Sequence, residues 1–301
     1  MELQQLRYAV AVADTGNFTR AAERCLVSQP SLSQQIINLE AEVGHKLFHR
    51  LGRRAVPTEA GLAFLNRARG ILLGVENATR EIRDDPTFGR QITVGAIPTV
   101  APYLIPRVIA RCAETSPNLT IALREDFRQP LAQGVLNGEL DLALVSLPIK
   151  DPQLSVDPLF TEPLLLVVHG SHRLATKDVV VAADLADEVF ILLGTSSSLT
   201  SQIHRFCGEH NLEPRIGYRC TQIKTVKALV ALGVGISILP KVAKSSADEG
   251  LAYRELSGSA PVREIAVIRH LQRYQSRGAE TFLRVLREVV QSYREGTPWV
   301  R

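Results

Sequence analysis

The chain has 301 residues, with 35 Lys and Arg against 31 Asp and Glu, for a formal net charge of +4. That length is too great for one ordinary core and calls for two or three compact units, while so mild a basic excess excludes a polycationic tail. No apolar run reaches membrane-spanning length and no charged-then-apolar leader opens the sequence, so the expectation is a cytoplasmic protein with no membrane partner.

Leu6, Ala9, Val10 and Ala13 fall on one face of a first helix. Phe18, Ala21, Ala22, Cys25 and Leu26 follow at i, i+3, i+4, i+7 and i+8, the apolar face of a second, short helix. After a break at Leu26-Val27-Ser28, Ser28 is placed to cap a third helix that takes Pro30 early, where no N–H is missed. Leu32, Ile36 and Leu39 share the buried side of that helix. Pro30, Ser31, Gln34, Ile37 and Asn38, all short or uncharged, lie opposite. Two short helices joined by a tight turn, the second presenting amides and hydroxyls, predict a helix-turn-helix reader of DNA. For this stretch alone an αα-hairpin within a larger helical core is the alternative.

Residues 44–54 then pack two glycines and four cations into eleven positions before Val56-Pro57. Glycine turns at both ends describe a β-wing, with Arg50, Arg53 and Arg54 available to phosphate or the minor groove. Residues 1–57 form the expected reader domain. They hold seven cations (Arg7, Arg20, Arg24, Lys46, Arg50, Arg53, Arg54) against five acids (Glu2, Asp14, Glu23, Glu40, Glu42), so placed contacts must add to bulk charge. The candidate DNA contacts are Thr19, Arg20, Gln29, Pro30, Ser31, Ser33 and Gln34 from the helices, with the three wing arginines.

Thr58 can cap a long helix over 58–84, in which Leu65, Ala68, Leu72, Val75, Thr79 and Ile82 step by 3, 4, 3, 4 and 3. A heptad seam of this kind pairs with a second chain, or else packs on its own domain. Asp84-Asp85-Pro86 ends the helix and a hinge is expected over 85–90.

Beyond the hinge, residues 91–301 alternate apolar strands with helical patterns. Strands are expected at 92–96, 119–123 and 140–145, with Leu104, Ile105, Val108, Ile109 and Cys112 on a helix face and Gly138 closing the next helix. This βαβαβ order implies a mostly parallel sheet covered by helices. A second set begins at 164–168, continues through 190–193, and takes in 203–206, 226–232 and 236–239, with a helix over 199–210. A strand at 262–268 returns to the first set and a helix at 279–290 closes the chain. The expected fold is α/β behind an all-α, winged-helix N-terminal domain. Its effector half has two lobes hinged like a periplasmic binding protein: lobe I over 91–162 and 267–301, lobe II over 163–266.

Leu6-Arg7-Tyr8, Phe18-Thr19-Arg20-Ala21-Ala22, Val27-Ser28-Gln29-Pro30-Ser31-Leu32-Ser33, Leu39-Glu40, Gly44, Leu47-Phe48, Arg50 and Thr58-Glu59-Ala60-Gly61 together resemble the amino-terminal domain of LysR-type transcriptional regulators. The resemblance implies a winged helix-turn-helix, a dimerising linker helix and an effector-binding domain. It also implies a homodimer that joins into a DNA-bending homotetramer on a partly palindromic site, with a small-molecule effector and RNA polymerase as further partners in activation.

Within the effector half, the stretch from Ile97-Pro98-Thr99-Val100 to Ile105-Pro106, with Pro158-Leu159-Phe160, Glu162-Pro163, Phe206-Cys207 and Leu239-Pro240, looks like the OxyR-like peroxide regulators of that family. The chemistry departs from theirs. Cys207 stands at their resolving position, but Ser198 stands nine residues earlier, where they carry the peroxidatic Cys, and Ser197 replaces the preceding His. A serine forms no sulfenic acid, so that switch is closed to this chain. Two accounts follow: divergence to another effector, or a Cys-to-Ser variant held in its reduced form. The missing His argues for divergence.

The hydroxyl-rich run 194–200 lies where strand ends open onto a cleft. The expected ligand is a small anion, held by Thr99, Val100, Arg128, Ser146, Ser196, Ser197, Ser198, Thr200, Gln202 and Arg269, the last because the resemblance matches it to the arginine that stabilises the thiolate in the OxyR-like regulators. The competing account is a redox regulator using Cys207, with Cys220 as a second thiol. No nucleophile elbow, Gly-rich phosphate loop or metal-ligand spacing supports an enzyme, and Ser198 and His204 do not share a helix face. No catalytic residue, metal or cofactor is expected. The other cysteines read as buried small hydrophobes.

Overall fold

The computed structural model describes residues 1–52, 54–84, 90–258 and 260–294. The chain divides into two units: Met1–Asp85 with Gln272–Tyr274, and Pro86–Leu271 with Gln275–Arg301. Of the expected hinge, 85–89 lies outside the described residues.

In the first unit α1 (Leu3–Thr15), α2 (Phe18–Arg24) and α3 (Gln29–Val43) pack around Ala9, Val12, Ala21, Leu32, Ile36 and Leu39. Local chemistry sets each start. The Asn17 side chain accepts the Thr19 and Arg20 N–H groups at 2.8 and 3.1 Å, and Ser28 Oγ accepts the Ser31 N–H at 3.3 Å. Leu26 departs from expectation. It takes φ +56° in the turn between α2 and α3 and is 93% exposed, so the left-handed step that turns the chain also throws its side chain outward.

The wing forms as β1 (Phe48–Leu51) and β2 (Arg54–Pro57), an antiparallel hairpin turned at Gly52, φ +62°. Beneath it the buried Glu40 carboxylate accepts the Leu47 and Phe48 N–H groups at 2.9 and 3.3 Å and Lys46 Nζ at 2.8 Å. Burial works against the ionised form, but Lys46 and the two N–H groups outweigh it and hold this carboxyl below its ordinary pKa.

Thr58 caps α4 (Glu59–Arg83), its Oγ1 accepting the Gly61 N–H at 2.9 Å. Gly61 lies so close to β1 that a Cβ there would meet the Leu47 carbonyl oxygen at 2.0 Å. The heptad seam splits. Leu65 and Ala68 are each 1% exposed and buried within their own unit, Leu65 in the same core as Leu47 and Phe48. Leu72 is half-buried, and Val75, Thr79 and Ile82 face outward. The first two seam positions therefore serve intrachain packing.

In the second unit β3 (Arg90–Ala96), β4 (Leu119–Glu125) and β5 (Leu142–Ser146) form a parallel trio in the order β5-β3-β4, connected through α5 (Ala101–Thr115) and α6 (Arg128–Asn137). The sixteen-residue β6 (Leu154–His169) then runs through both lobes. The second lobe adds β7 (Val189–Leu193), α7 (Ser198–Glu209), β8 (Arg215–Cys220), α8 (Ile223–Ala231), β9 (Ser237–Pro240) and β10 (Leu251–Arg254). Then β11 (Val262–His270) returns to the first lobe and α9 (Arg277–Arg294) closes on it.

The main sheet has the order β10-β6-β11-β5-β3-β4, with β9 on β6, and β7 pairs in parallel with β8. It is mixed, because β11 runs antiparallel to both β5 and β6. Two cores result, one around Ile92, Val94, Leu104, Leu144 and Phe282, the other around Leu166, Phe190, Ile203 and Ile238. Ile265 already belongs to the first core, so the expected boundary at 266/267 falls inside β11.

Candidate functional site

The first unit exposes one polar surface. Thr19 and Arg20 stand on the first turn of α2, Gln29, Pro30, Ser31 and Gln34 along the outer side of α3, and Ser33 is half-buried beside them. Gln34 Nε2 donates to Asn38 Oδ1 at 3.0 Å, one turn along the same side. Arg50 is less free than expected. Its guanidinium lies 4.6 Å from the centre of the Phe18 ring and donates to Ser33 Oγ at 3.0 Å, tying wing to helix. Arg54 is exposed on β2, and Arg53 lies outside the described residues.

In the second unit the carboxyl ends of parallel strands set the other site, as open α/β sheets do. β3 leads through Thr99 into α5, β5 ends on Ser146, and β7 leads through Ser197 and Ser198 into α7. Thr99, Val100, Ser146, Ser197 and Ser198 are all buried. The two lobes meet here: Gln202 Nε2 on α7 donates to Ser146 Oγ at 2.9 Å and to the Leu147 carbonyl at 3.5 Å. Arg128, at the start of α6, donates from Nη1 to the Ser146 carbonyl at 3.3 Å, and no carboxylate partner is found for it among the described residues.

Three expected contacts fare differently. Thr200 is turned inward, its hydroxyl donating to the Leu193 carbonyl at 2.9 Å, and Ser196 is exposed. Arg269 does not reach the cleft. On β11 the cleft level is Ile265, opposite Ser146, whereas Arg269 lies four residues further along, opposite Ser155. At about 3.3 Å per residue that is roughly 13 Å away. There it pairs with Asp157 at 2.7 Å and with Gln275.

The arginine at the cleft is Arg263. Its Nη1 donates to Thr99 Oγ1 at 2.8 Å and its Nη2 to the Thr99 carbonyl at 3.1 Å, while Glu162 neutralises it. Both charges were legible in principle. Arg263 shares its strand face with Ile265 and Val267, and Glu162 with Phe160 and Leu164, so each is a charge on an otherwise apolar face. Tyr103 on α5 packs against both cores, and burial pushes its phenol up to about 12.

Cys207 is 1% exposed within the second core, and burial alone raises its thiol to about 11. Burial likewise raises Cys220. Among the described residues no group of His, Cys, Asp and Glu is arranged to hold a metal ion, and no helix is long and apolar enough to cross a membrane.

Comparison with known proteins matches both units. Residues 3–62 match the bacterial regulatory helix-turn-helix proteins of the lysR family, and residues 87–291 match the LysR substrate binding domain. The DNA-binding transcriptional dual regulator OxyR of Escherichia coli is 34% identical over 273 residues, 89% of either chain. The Hca operon transcriptional activator HcaR of the same organism is 35% identical over 263 residues, 87% of this chain and 89% of that one. A full-length OxyR variant from Pseudomonas aeruginosa superposes with a TM-score of 0.66 at 28% identity, covering 97% of this chain and 95% of that one.

Proposed function

The chain belongs to the LysR family of DNA-binding transcriptional regulators with an effector-binding domain, and from that premise we propose that a small anion seated at Arg128 in the cleft controls it. The observation that carries the proposal is the Arg128 guanidinium, which among the described residues is bonded to a main-chain carbonyl and to no carboxylate, at the rim of the cleft. Three helix starts, those of α5, α6 and α7, converge on the same strand ends and add positive potential. Thr99, Ser146, Ser197, Ser198 and Gln202 supply neutral polar groups around that cation, and Val100 a backbone turn.

The peroxide reading has less support. A thiol near pKa 11 is ionised in roughly one molecule in ten thousand at neutral pH, and only the thiolate reacts. The serine at position 198 closes the other route.

Under this proposal Gln29, Pro30, Ser31 and Gln34 face base edges, with Thr19, Arg20, Ser33 and the wing arginines on backbone. The protein works in the cytoplasm as a dimer of dimers on a partly palindromic site and engages RNA polymerase there. A carboxylate panel tested by thermal shift on the full-length protein decides the central claim. At least one member must raise the midpoint of the wild type, and Arg128→Ala must abolish the shift while Arg269→Ala leaves it. A shift that survives Arg128→Ala would overturn the proposal.

A further inference from the structure

Gln202 carries an unmet valence. Its Nε2 donates to Ser146 Oγ and to the Leu147 carbonyl, while its Oε1 is buried and accepts no hydrogen bond among the described residues. The amide turns its NH2 end toward the Leu147 carbonyl, which can only accept. Ser146 offers no relief, because its hydroxyl already receives Gln202 Nε2 and turns its own hydrogen toward the Leu147 carbonyl at 3.4 Å. The cleft therefore contains a cation at Arg128, joined through Ser146 to an acceptor at Gln202 that lacks a donor.

We infer that Gln202 reads a hydroxyl on the effector, which makes the ligand a small hydroxycarboxylate rather than a bare carboxylate. This rests on the anion reading given above and narrows it. The donor is a hydroxyl and not an ammonium, because Arg128 and three helix starts repel a second positive charge. Leaving a buried acceptor without a donor costs the folded protein, and a ligand hydroxyl removes that cost on binding. A site built this way discriminates strongly against the analogue that lacks the group, because the analogue leaves the acceptor buried and unmet. One such bond corresponds to a preference of about tenfold to a hundredfold.

The test uses full-length protein and matched probe pairs: malate with succinate, 3-hydroxybutyrate with butyrate, and 3-hydroxybenzoate with benzoate. Binding is read by calorimetry and by thermal shift. The expected result is at least one hydroxylated probe that binds tenfold or more tightly than its partner. Gln202→Met should then equalise that pair, because methionine offers only a weak acceptor at similar volume. Equal binding of both members by the wild type overturns this inference and leaves the anion reading standing. Failure of every probe to bind overturns both. The wild-type ratio decides the matter even if Gln202→Met folds poorly.

Discussion

Arg263 and Glu162 face each other across β6 and β11 where those strands pass between the lobes, their ion pair 2.7 Å long and both side chains 1% exposed. Glu162 also accepts the Val242 N–H at 2.7 Å, just past the end of β9 of the second lobe, and Arg263 holds Thr99 in the first. The pair thus links both lobes, the crossing strands and the turn that lines the cleft. Removing one partner leaves the other charge buried and uncompensated, at about 3–5 kcal/mol. Glu162→Gln should lower the stability of the effector unit by an amount of that order, read from urea unfolding. Adding Arg263→Met should recover much of the loss. A single variant as stable as the wild type would show that solvent or another group neutralises Arg263.

The lobes and the reader were legible because their signals are local. Caps at Ser28 and Thr58, glycine turns at Gly52 and Gly138, and apolar strand runs all act within a few residues. The cleft was legible only in part. Its position follows from strand order, but which arginine reaches it depends on register, and Arg269 and Arg263 differ by six residues on one strand. The strands β8 and β10 escaped notice because Arg215, Arg219 and Arg254 interrupt any apolar run. The half-occupied seam on α4 was beyond local pattern altogether, since only tertiary packing distinguishes Leu65 from Ile82.

Glu40 gives the reader unit an acid limit. Its folded pKa lies below its ordinary value, so its stabilising effect is fully present above the unfolded pKa, near ~4.3, and is lost as pH falls through the folded value. Glu40→Gln should therefore lower the unfolding midpoint of the reader at neutral pH. The gap between the two proteins should close below about pH 4. A gap that persisted undiminished at pH 3 would assign the effect to packing.

Gln34 and Arg54 should separate sequence reading from phosphate holding. A glutamine paired bidentately with adenine discriminates by about 1–3 kcal/mol, so Gln34→Ala should flatten base preference within the site. Arg54→Ala should weaken all sequences alike and reduce the salt slope by about one per subunit. Binding measured against salt on a preferred and a scrambled duplex checks both. If Gln34→Ala keeps the wild-type preference, α3 is not the reading helix.

Cys207 tests the oxidant account from the opposite side. Its burial and raised thiol pKa predict slow reaction with peroxide, so Cys207→Ser should leave DNA affinity and its effector dependence unchanged. Mass spectrometry after brief exposure to peroxide should find the Cys207 thiol intact in the native protein. Rapid oxidation, accompanied by a change in DNA binding that Cys207→Ser abolishes, would make this chain a thiol sensor after all.

The divided seam on α4 makes the sharpest distinction between folding and assembly. Leu65 is 1% exposed in the reader core, whereas Ile82, at the other end of the same heptad run, is 81% exposed. Leu65→Asp should therefore unfold the reader, because a carboxylate placed in that core has no partner. Ile82→Asp should leave the fold intact and act on association alone. Paired across a two-fold axis, two such aspartates would repel, so the dimer should dissociate at higher protein concentration than the wild type does. Circular dichroism and sedimentation velocity on the two variants separate the outcomes. A Leu65→Asp protein that stays folded but loses its partner would mean that the seam begins at Leu65 as the bare heptad suggests. An Ile82→Asp protein with undiminished association would mean that the copies meet on another face.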